Sequence, residues 1–99
     1  MPKQENRFVF NPSIPIAEVR DTLKLAELAV VSTHGTERLR LEVRSIVDEP
    51  KRSVVIEGNT SVARCLAAVF LGFVVREFGA GCVRTAHDDV SVDRDGAAS

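Results

Sequence analysis

The chain has 99 residues, 44% apolar and 27% charged, with a net charge of −1. It is long enough to bury one core without a metal or a disulfide, and its composition is that of a folded globular chain. The thirteen Lys and Arg residues are spread along the sequence and all five aromatics are Phe, which argues against a dedicated nucleic-acid binder with a basic cluster and polar-tipped stacking rings.

Residues 1–6 are polar and expected to be loose. The short apolar run Arg7 to Phe10 predicts a strand, stopped by Asn11-Pro12. Ser13 is the candidate N-cap of the helix that follows, with Pro15 in its first turn and Glu18 and Asp21 near the positive end of its dipole. Ile16, Val19, Leu23, Ala26 and Val30 recur at helical spacing and form the expected core face, which Leu25 and Leu28 widen. Gly35 ends the helix. Residues 37–47 alternate Leu39, Leu41 and Val43 with Arg38, Arg40, Glu42 and Arg44. That alternation predicts a half-buried strand with a charged, solvated face. Asp48 to Arg52 reads as a charged hairpin loop, and Ser53 to Glu57 as a more apolar, central strand.

The stretch Ser61 to Phe78 is the most apolar in the chain. On a helical wheel Val62, Leu66, Val69 and Phe73 stack on one side, the expected core stripe. A surface helix needs an apolar face only about 100° wide. Here Ala67, Leu71, Val74, Val75 and Phe78 cover most of the opposite side, and Cys65, Ala68 and Gly72 form a strip of small residues. The unbroken run Cys65 to Val75 falls short of the roughly 20 residues a bilayer span requires. In a chain this short two layers of structure are expected, so part of this helix should lie in a protein interface. Gly79 to Gly81 closes the helix, Cys82 to Ala86 predicts a last strand, and residues 88–99 read as an acidic, loose tail.

The order strand–helix–strand–strand–helix–strand predicts an α+β fold of the ferredoxin-like split βαβ kind: β-α-β-β-α-β, a four-stranded antiparallel sheet with two helices on one face. A single domain over residues 1–87 is expected.

Candidate chemistry is sparse. Asn59, Thr60 and Ser61 sit between a strand and a helix N-terminus, where free N–H groups and hydroxyls suit an anion, although helix capping explains the same residues. Arg38, Arg40 and Arg44, with Arg84 from another strand, form a candidate phosphate-binding row on an open sheet face; pairing with Glu42 and Glu57 explains them equally. His34 lies at a helix end without a neighbouring nucleophile. His87, Asp88 and Asp89 lack the further ligands a metal site needs. Cys65 and Cys82 show no paired spacing, and no secretory signal opens the chain, so free thiols and a cytoplasmic location are expected.

These readings converge on a small non-enzymatic module, without cofactor, metal or membrane segment, acting as a homo-oligomer or binding a protein partner. Ala67, Ala68, Leu71, Gly72, Val75 and Phe78 are the expected interface. Anion or nucleic-acid binding through the Arg row is the second reading.

Overall fold

A computed structural model describes residues 5–87 of the chain; the acidic stretch 88–99 and the first four residues lie outside the described residues. The elements are β1 (Glu5–Phe10), α1 (Ile16–His34), α2 (Thr36–Glu42), β2 (Arg44–Asp48), β3 (Ser53–Glu57), α3 (Ser61–Phe78) and β4 (Val83–His87), with one 3₁₀ turn at Ala80–Cys82 before β4. The four strands form one antiparallel sheet in the order β2-β3-β1-β4. The fold is α+β, with three helices where two were expected.

Alternation along the strands decides what each face does. Phe8 and Phe10 of β1 and Val54 and Ile56 of β3 point to the helices and are buried. They meet Val19, Leu23, Ala26 and Val30 of α1, and Val62, Leu66, Phe70 and Val74 of α3. Phe70 is the centre of this core. Its ring lies edge-on to Phe8 at 5.2 Å and to Phe10 at 6.1 Å, the arrangement that sets the positive ring edge against a negative face. α3 therefore lies over β1, while α1 lies toward the β2 end of the same sheet face, where its Glu27 accepts a 2.9 Å hydrogen bond from Ser45 of β2.

The extra helix comes from residues 37–47. The strand expected there begins only at Arg44, and Thr36 to Glu42 is helical. Glu, Arg and Leu are all strong helix formers and no β-branched residue interrupts Glu37 to Glu42, so propensity outweighs the alternation. Arg38 and Glu42 then fall one turn apart and pair, with Nε 2.9 Å and Nη2 3.2 Å from the two carboxylate oxygens. Leu39 packs against the core, whereas Leu41 stands 84% exposed. Gly35, at φ +91°, makes the tight corner between α1 and α2.

Three smaller expectations are also corrected. Ser13 does not cap α1; its own N–H bonds the Asn11 side chain, and the helix starts after Pro15 without a side-chain cap. Leu25 and Leu28 do not widen the core face of α1 but stand 58% and 65% exposed, whereas Thr22 is buried there, its hydroxyl donating to the Glu18 carbonyl. Residues 5 and 6 belong to β1 and are not loose.

Candidate interaction surface

The local reasons for α3 are plain: Thr60 caps it, accepting the Ala63 N–H at 3.2 Å, and the Gly79 N–H closes it on the Val75 carbonyl at 2.9 Å. Its buried stripe is Val62, Ala63, Leu66, Phe70 and Val74. The stripe is turned by one residue from the expected one. Val69 and Phe73 are half-buried against the core, and Val74, expected outside, is fully buried. Two helices on one sheet face decide this, since α3 must fit both the Phe8–Phe10 side of the sheet and α1.

Of the expected interface residues, Ala68, Gly72 and Val75 are exposed, Val75 to 37%. Ala67, Leu71 and Phe78 are half-buried and pack against the core from the flank. Arg64 is the one charge of α3 on this side before Arg76. The flank does not close against the sheet. A shallow groove of about 300 Å³ runs between α3 and the edge strand β4, lined by Arg64, Ala67, Ala68 and Leu71 above and Asn6, Phe8 and Thr85 below. Its depth comes from small side chains on α3 and from the absence of a helix beyond β4 among the described residues.

The candidate anion site is differently arranged. Arg38 and Arg40 sit on α2, not on the sheet, and Arg44 and Arg84 lie on opposite edge strands. The open sheet face carries Arg7, Arg44 and Arg84 among Glu5, Glu57 and Asp48, as alternation from the core positions requires. Both aromatics of β1 point the other way, into the core.

The structure brings Glu42, the ion-pair partner of Arg38, to the Asn59–Ser61 turn. Glu42 ends α2 beside Thr60. The Arg38 guanidinium holds its carboxyl below the ordinary glutamate value of 4.5, chiefly through their hydrogen bonds, against an opposing desolvation; the Thr60 hydroxyl and the charge of His34 add smaller pulls the same way. A carboxylate thus already stands at the α3 N-terminus, and the Arg64 guanidinium bonds the Asn59 carbonyl at 3.2 Å. A folded-state carboxyl held low contributes stability that is complete above about pH 4.5 and lost as pH falls through the lowered value. Comparing thermal midpoints of wild type and Glu42→Gln at about pH 7 and about pH 3 tests this: the wild type should lose more on acidification than the variant. Equal losses would show that Glu42 is not held low.

Among the described residues no other cluster resembles a reaction centre. Among the described residues no three His, Cys, Asp or Glu converge as metal ligands, and no helix is long and apolar enough to cross a membrane. Cys82 borders a hollow shared with Asn11 and Arg84, whose lining contains no His, Asp or Glu. No family model, curated protein or solved structure matches this chain.

Proposed function

We propose that this chain is a small non-enzymatic interaction module that self-associates or binds a protein partner through the outer side of α3, in the cytoplasm. The observation that carries the reading is the groove between α3 and β4, lined by exposed Ala68 and half-buried Ala67 and Leu71 beside the strand that forms the sheet edge among the described residues. An exposed apolar surface next to a strand edge is where soluble proteins meet partners. The same reading takes the architecture to be the ferredoxin-like split βαβ with α2 inserted before the second strand. The strand order β2-β3-β1-β4, antiparallel throughout, supports it. Binding of polyanions has less support, because cations and carboxylates alternate on the open sheet face.

Solution mass by light scattering over a dilution series tests the reading. Wild type should weigh twice the 10.8 kDa chain mass at high concentration. The double variant Ala68→Glu/Val75→Glu, both at exposed positions, should fold and remain monomeric. A wild type that stays monomeric throughout and captures no partner would end the proposal.

A further inference from the structure

We draw no further inference here: the strongest candidate, the shallow hollow on the helix layer where Leu25 of α1 meets Phe73 of α3, with Leu28 exposed one turn further along α1, is an apolar face and nothing in the structure shows what covers it.

Discussion

Gly58→Ala is expected to destabilise the protein by about 2–5 kcal/mol, combining backbone strain with overpacking. Gly58 joins β3 to α3 at φ +139°, a conformation L side chains rarely adopt. A Cβ there would stand 2.7 Å from the Glu42 carbonyl oxygen and 2.8 Å from the Ala63 methyl. Neither neighbour is a flexible chain end. One is the backbone that ends α2, the other a methyl fixed to the first turn of α3, so relief requires one of the two helices to shift. Against a total stability of about 5–15 kcal/mol, the loss should lower the thermal midpoint by roughly 4–8 °C per kcal/mol in a chain of this size. Gly72→Ala is the control. Its Cβ would meet nothing within 4 Å, and exchanging glycine for alanine inside a helix should leave stability unchanged or raise it by up to about 1 kcal/mol. Equal midpoints for the two variants would mean that the β3–α3 loop does not press on α2.

The second large effect is expected at Phe70. Phe70→Ala should cost about 3–5 kcal/mol in urea unfolding, the range for deleting a buried aromatic ring. The ring is fully buried and is the only residue of α3 in edge-to-face contact with both aromatics of β1, so its loss removes two ring pairs as well as apolar burial. Phe73→Ala discriminates sharply, because helical periodicity alone assigns Phe73 to the core stripe and leaves Phe70 out. In the structure Phe73 is half-buried beside Leu25 and Thr22. Its truncation should cost clearly less than that of Phe70; the reverse order would restore the stripe read from the wheel.

Both predictions turn on contacts between elements distant in sequence, and that is where reading the chain by itself stopped. β3 was legible to the residue, because a β-branched run bounded by Arg52 and Gly58 has one good conformation. The ends of α1 and α3 at Gly35 and Gly79 were legible for the same local reason. Residues 37–42 were not, since their alternation and their helix propensity point to different structures, and no strand remains for them to pair with: β3 ends opposite Arg44. The error carried over to the Arg row, which depended on Arg38 and Arg40 lying in a sheet.

The outer side of α3 was partly legible. Its low charge set it apart in the sequence, yet among the described residues the most exposed large apolar side chains are Leu25, Leu28 and Leu41 on the other two helices. Sequence spacing of three and four says that a residue shares a face, and it leaves open how wide a face the neighbouring helix covers.

What the sequence determined by itself is therefore local: a β-branched strand, two long helices with glycine ends, and one helix with almost no charge around its girth. Propensity and periodicity act within a few residues, so they are complete in a short window. The tertiary structure alone decided which side of α3 meets Phe8 and Phe10, how Glu42 comes to stand against Thr60, and which backbone groups of β4 face away from the sheet. Each of these depends on register and close packing between segments tens of residues apart, and neither exists until the chain has folded.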